Sequence, residues 1–208
     1  NDQIVTIQAD WLHPAELWMN GEKLTDSNPW LSEYALADVE EHWVKSKDGK
    51  ADLQYFLVKP VCFEKNKQYP AVLDIKGGPT TMYGLTFWHE FQALASLGMA
   101  VIFGNPRGST GFGRAYCAGG VCWENEAVDD LVQFVEAAVS KGDFIDEKRV
   151  GVTGRQLWWL HDKQIDRKNK CLCGSCHTAL SCKHCNFLWY RRYGFCLIAS
   201  DSETFSYA

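Results

Sequence analysis

The chain lacks three features that would each define a class of protein. No apolar run approaches the ~18 residues that a membrane-spanning helix needs, which argues against a membrane protein. Basic residues are not in excess, with 21 Lys and Arg against 26 Asp and Glu, and a net charge of −5 argues against a nucleic-acid partner. The opening residues, NDQ, are neither a start nor a signal peptide. We therefore expect a piece of a longer, cytoplasmic protein.

Cysteine is scarce in most of the chain and abundant near its end. Three of the nine cysteines precede residue 155, and the other six lie between Cys171 and Cys196. The charge balance changes at the same place, from 13 Lys and Arg against 22 Asp and Glu over residues 1–154 to 8 against 4 over residues 155–208. Because parts this different rarely share one core, we expect residues 155–208 to be a separate segment.

Strand and helix patterns alternate from about residue 41 onwards. They predict a hairpin of residues 42–46 and 53–58, buried strands at 71–75, 99–103 and 149–154, and helices at 87–97 and 127–140. This alternation predicts an α/β fold, with a mostly parallel sheet covered by helices on both faces. Residues 1–38 carry closely spaced turn signals, such as Asn20-Gly21, and predict small antiparallel strands.

Several motifs then coincide in order along the chain. They read YPAVLDIKGGP at 69–79, NPRGSTGFG at 105–113, DDL at 129–131 and DEKRVGVTG at 146–154. Together they resemble the prolyl oligopeptidase family of serine peptidases, in its acylaminoacyl-peptidase and dipeptidyl-peptidase branch. The sequence HPAEL at 13–17 resembles the last blade of the β-propeller that precedes the hydrolase domain in that family.

The resemblance covers residues 1–154 and implies an architecture and an activity. Residues 1–38 would be the end of the β-propeller, and residues 39–154 the N-terminal part of an α/β-hydrolase domain. The family hydrolyses peptide bonds of short peptides without a cofactor, through a serine nucleophile and a histidine base. A short peptide is therefore the expected partner, with no nucleic acid and no membrane.

The resemblance also assigns roles to the loop after the first buried strand. Gly78 would supply one backbone donor of the oxyanion hole, and Gly77 would shape the approach, since glycine has no Cβ in the way. Lys76 stands where the family more commonly has histidine. Arg107 is expected to fix its own loop by hydrogen bonds rather than to touch substrate.

The chain departs from the family where the nucleophile belongs. The family continues Gly-Ser-Tyr-Gly-Gly-Phe-Met-Thr, whereas residues 155–162 read RQLWWLHD and place Gln156 at the serine position. Suitable codons for these eight residues, read one base later, encode the family sequence, and both tryptophan codons become glycine codons. We infer a frameshift at Gly154 and Arg155. The triad Asp and His would lie beyond the end of this chain, so we expect no catalytic residue and no peptidase activity in it.

A frameshift also accounts for the cysteine-rich residues 155–208, which we expect to be an out-of-frame, disordered tail. Two alternatives remain at this point. Cys173, Cys176, Cys182 and Cys185 form two Cys-x2-Cys pairs that could hold zinc. This alternative is weak, because only five residues separate the pairs, fewer than is usual in zinc sites. The sequence from Cys173 to His177 also fits a covalent haem attachment pattern.

Overall fold

The computed structural model describes residues 3–77, 80–118 and 126–154, together with the backbone of residues 186–190 and 195–199. The strands are β1 (Val5–Gln8), β2 (Glu16–Met19), β3 (Glu22–Lys23), β4 (Val39–Lys45), β5 (Asp52–Val58), β6 (Tyr69–Ile75), β7 (Ala100–Asn105), β8 (Ile145–Gly154), β9 (Asn186–Tyr190) and β10 (Phe195–Ala199). The helices are α1 (His89–Ser96), α2 (Arg114–Ala118) and α3 (Glu126–Lys141), with a 3₁₀ helix at Pro29–Glu33. Across the described residues, no helix is long and apolar enough to span a bilayer.

The central sheet has five strands in the order β4-β5-β7-β6-β8. Strand β6 pairs in parallel with β7 and with β8. Strands β4 and β5 pair with each other antiparallel, and β5 pairs antiparallel with β7. The expectation of a mostly parallel sheet is therefore correct for β7, β6 and β8 only. The short turn between β4 and β5 reverses the chain direction, so these strands add an antiparallel edge.

Alternate side chains of the sheet enter two separate cores. Leu73 and Ile75 of β6 pack with the apolar side of α3, whereas Val72 packs with Phe91 and other residues of α1. Helix α3 reads as an amphipathic helix in the sequence, and its buried positions confirm that reading. The predicted helices therefore cover opposite faces of the sheet, as expected for an α/β fold.

Several element boundaries differ from the sequence-based expectations by two to four residues. Helix α1 begins at His89 rather than Phe87, because Trp88 has an extended backbone and occupies the N-cap position. Helix α1 ends just before Gly98, whose φ of +80° stops it as predicted. Strand β8 begins at Ile145, four residues before the predicted start. A register shift separates the pairing of Ile145 with Tyr69 from the pairing that begins at Val150 with Ala71. The short helix α2 has too few residues to give a periodic signal.

The first strands form a separate antiparallel sheet in the order β1-β2-β3, which agrees with the turn signals. All four residues of β1 are exposed. Trp11, which follows β1, packs its ring against Phe56 and Phe103 of the central sheet, with centroid distances of 5.0 and 5.9 Å. This aromatic contact joins the N-terminal segment to the core on the α1 side.

His42 of β4 faces the end of α3 and is partly buried, with Lys141 and Glu40 beside its ring. The Lys141 ammonium donates a hydrogen bond to His42 Nδ1 over 2.8 Å, and the imidazole packs 5.2 Å from the Tyr55 ring. Glu40 Oε2 lies 3.3 Å from Nε2, while Lys59 pairs with the other oxygen of Glu40. Burial, followed by the charge of Lys141, lowers the pKa of His42, so the neutral imidazole is the native form.

Acid is expected to destabilise the fold through His42. The unfolded chain takes up the proton near the ordinary pKa of about 6.5, whereas the folded chain resists it, so stability falls as the pH drops below that value. Replacing His42 with glutamine should flatten the fall in unfolding free energy between about pH 7 and pH 5. Chemical denaturation at several pH values measures this, with the exposed His89→Gln as the control. An unchanged slope in His42→Gln would contradict the assignment.

Candidate active site

The carboxyl ends of three parallel strands meet at one edge of the central sheet. Asp74 of β6 is paired with Thr153 of β8, and Ile75 is paired with Gly154. A Cβ at Gly154 would collide with the Ile75 carbonyl oxygen, so glycine permits the close approach of these two strand ends. Ligands of α/β sheets bind beyond the carboxyl ends of the strands. The sequence motifs that end β6, β7 and β8 therefore lie at the edge where such a site forms.

Lys76 and Gly77 follow β6 directly and are both half-buried. Burial lowers the pKa of the Lys76 ammonium to about 8. The Thr81 hydroxyl donates a hydrogen bond of 2.6 Å to the carbonyl of Gly77, four residues back along the chain. The structure therefore places the first of the predicted oxyanion-loop residues at the carboxyl end of a central strand, beside the end of β8.

The loop after β7 is fixed by Arg107. Its guanidinium donates to both carboxylate oxygens of Asp130, over 2.9 and 2.7 Å, and its backbone N–H also donates to Asp130. A further bond of 2.8 Å reaches Asp48 in the turn between β4 and β5. Arg107 thus holds its loop through hydrogen bonds within the protein, as the sequence predicts.

The charges around Arg107 perturb one another strongly. Hydrogen bonds from Ser46 and then from Arg107 hold the pKa of Asp48 well below its usual range. Burial raises the pKa of Asp130, and the Arg107 guanidinium opposes that rise. The Asp130 hydrogen bonds raise the pKa of Arg107 further, so the guanidinium remains charged. These three side chains form a structural ion network below the loop.

Other predicted site residues lie outside the described part of the chain. They are Gly78, the proposed oxyanion donor, Gln156, at the nucleophile position, and the four cysteines of the zinc alternative, Cys173, Cys176, Cys182 and Cys185. Within residues 3–77, 80–118 and 126–154, no group of three or more His, Cys, Asp or Glu side chains could hold a metal ion.

Sequence reasoning missed the polar residues that brace this edge of the sheet. Thr81 bonds Gly77, and the fully buried Asn105 bonds Tyr83. Asn105 lies within a recognised motif, but its partners are far away along the chain. The sequence signal for Asn105 is its place as a short polar residue between a buried strand and a turn. That place suggests a structural hydrogen bond but does not identify the partner residue.

Comparison with known proteins gives a consistent result at the level of sequence. The model of the prolyl oligopeptidase family matches residues 85–155. The uncharacterized peptidase YuxL of Bacillus subtilis is 37% identical over 145 residues, which are 69% of this chain and 22% of that protein. The chain therefore spans about a fifth of the length of this curated relative.

Solved structures share the fold of the described residues. The acylaminoacyl peptidase of Pyrococcus horikoshii has a TM-score of 0.69 at 25% identity, over 76% of this chain and 26% of its own. An acylaminoacyl peptidase in complex with Z-Gly-Gly-Phe-chloromethyl ketone has the same TM-score at 26% identity, with the same two coverages of 76% and 26%. These peptidases have the α/β-hydrolase fold, to which the mixed central sheet described above corresponds.

Proposed function

We propose that this chain, which belongs to the prolyl oligopeptidase family, is part of a serine-type peptidase that hydrolyses peptide bonds of short peptides. The observation that carries the proposal is the position of the Lys76-Gly77 turn, directly beyond β6 and beside the end of β8. In acyl transfer, a nucleophile on a tight strand-to-helix turn needs backbone N–H donors close by, and a donor after β6 and a nucleophile after β8 would be neighbours at this edge of the sheet. The Z-Gly-Gly-Phe-chloromethyl ketone in complex with one structural neighbour is a peptide derivative, which supports a peptide substrate.

The same loop supplies the proposed oxyanion site. Gly78 would donate its backbone N–H to the oxyanion, and Gly77 leaves room for the approach. The Thr81 hydroxyl donates a hydrogen bond to the Gly77 carbonyl and so restrains Gly77. Lys76 adds a half-buried cationic group at the same edge of the sheet.

We further propose that the sequence as it stands encodes an inactive polypeptide. Gln156 occupies the nucleophile position and carries no nucleophilic oxygen. A frameshift at Gly154 and Arg155 is the proposed cause, because the family sequence can be encoded one base out of phase.

The proposed domain division follows from the same inference. Residues 1–38 are assigned to the end of a β-propeller, supported by the separate three-stranded sheet β1-β2-β3. Residues 39–154 are assigned to a partial hydrolase domain, supported by the start of the central sheet at Val39. Residues 155–208 are assigned to an out-of-frame tail. The cytoplasmic location remains a prediction.

Resequencing the coding DNA across the codons for Val150 to Asp162 tests the frameshift. We expect one base to disappear and a continuous frame to give Gly-Ser-Tyr-Gly-Gly, with no hydrolysis of short peptide substrates by the purified 208-residue chain. If resequencing instead repeats the present reading of residues 155–162, the frame does not change through an error of sequence determination, and any frameshift belongs to the gene itself. Peptide hydrolysis by the purified chain would contradict its proposed inactivity.

The zinc module is the alternative function, and no group within the described residues supports it. Equimolar zinc in the purified 208-residue chain, lost on replacing Cys173 and Cys176 with serine, would favour it over the inactive-fragment reading.

A further inference from the structure

Asn105, the last residue of β7, joins the motif at residues 105–113 to Tyr83, four residues beyond the motif at residues 69–79. Its carboxamide oxygen accepts a hydrogen bond of 2.8 Å from the Tyr83 backbone N–H. Its amide group donates to the Tyr83 carbonyl over 3.0 Å and to Gln54 Oε1 over 2.8 Å. Asn105 is fully buried, so each of these bonds satisfies a group that water does not reach.

Tyr83 is held in three independent ways. Its backbone bonds Asn105, its hydroxyl donates to the buried Asp74 carboxylate of β6, and its ring packs 5.0 Å from Phe103 and 5.8 Å from Phe91. The residue is only 4% exposed although it lies in a loop. Tyr83 is therefore a fixed point for the chain that arrives from Gly77.

Two contacts involve the residues directly before Tyr83. The Thr81 hydroxyl donates a hydrogen bond to the Gly77 carbonyl. Met82 packs so closely against Gly111 that a Cβ at position 111 would lie 2.6 Å from the methionine sulfur. The loop after β7 thus supports residues 81–83 through Met82, and β7 itself supports them through Asn105.

We propose that Asn105 is a positioning residue for Gly77, in the loop that would form the oxyanion hole. By fixing the Tyr83 backbone it sets the place from which the Thr81 hydroxyl reaches the Gly77 carbonyl. The motif at residues 105–113 therefore acts on the motif at residues 69–79. The catalytic importance of this positioning rests on the proposed function. The restraint itself can be measured without any peptidase activity.

Hydrogen exchange of the purified 208-residue chain tests the proposal, read residue by residue or on peptides covering residues 77–83. In the unmodified chain, we expect the Tyr83 amide to exchange at least about 100-fold more slowly than an unstructured amide, although it lies in a loop. In Asn105→Ser, we expect exchange over residues 77–83 to accelerate about tenfold or more relative to amides of β6 and β7. Thr81→Val, at an exposed position, should accelerate exchange in the same segment without threatening the fold.

Tyr116→Phe is the matched control. The Tyr116 hydroxyl donates to the backbone carbonyl of Asn105 over 2.6 Å, but no bond of it reaches the segment 77–83. A merely structural role for Asn105 would make both variants alike, with exchange raised generally. The proposal is overturned if the Tyr83 amide of the unmodified chain exchanges freely, or if Asn105→Ser leaves residues 77–83 as protected as in Tyr116→Phe. Neither result depends on peptidase activity, so the positioning role and the proposed function can fail separately.

Discussion

Replacement of Arg107 by leucine is expected to lower the free energy of unfolding by about 3–5 kcal/mol. The guanidinium is bonded to Asp130, whose side chain is 0% exposed, while that of Arg107 is 9% exposed. Without Arg107, the buried Asp130 carboxylate loses two side-chain donors and its charge partner together. An uncompensated buried charge costs far more than a surface ion pair contributes.

Chemical denaturation of the purified variants measures this loss. The matched control is Lys45→Met, which breaks the exposed pair of Lys45 with Asp52 and should change stability by less than about 1 kcal/mol. The double variant Arg107→Leu with Asp130→Asn removes the stranded charge and should recover part of the loss. A loss in Arg107→Leu no larger than in the control would refute the structural role of the network.

Adding a single methyl group at Gly104 is expected to cost about 1–3 kcal/mol. A Cβ at this position in β7 would lie 2.7 Å from the Gln54 carbonyl oxygen and 2.8 Å from the Phe134 ring of α3. The Gln54 carbonyl oxygen belongs to the backbone of β5, so this clash can be relieved only if the strand moves. Gly104 is therefore the place where sheet and helix approach too closely for any side chain.

Thermal or chemical denaturation of Gly104→Ala tests this, with Gly84→Ala as the control. Nothing lies within 4 Å of a Cβ at Gly84 and its φ is not positive, so the control should stay within about 0.5 kcal/mol. Adding Phe134→Leu to Gly104→Ala should give less than the sum of the two separate losses, because one clash is then removed. Strict additivity would show that the Phe134 ring is not the obstacle.

The sequence-based expectations succeed where the signal is local. Strands at 71–75 and 99–103 and the helix at 127–140 are confirmed, because an apolar run or a 3.6-residue period is visible within one short window. The family resemblance is also confirmed, since it depends on ordered motifs along the chain. The sequence patterns do not predict how the β4-β5 hairpin joins the sheet, because its antiparallel pairing with β7 depends on how distant strands come together.

The sequence by itself determined the α/β alternation, the family and the abrupt change after Gly154. Those features depend only on the order of residues along the chain. The inferred frameshift is one of them, and no contact in the folded protein would reveal it. Only the tertiary structure decided that Arg107 pairs with Asp130 and Asp48, and that Asn105 holds Tyr83. Arg107 is 59 positions from Asp48, and Asn105 is 22 positions from Tyr83. Polar side chains carry no periodic signal that selects a partner at such separations, so packing of the sheet and helices makes the choice.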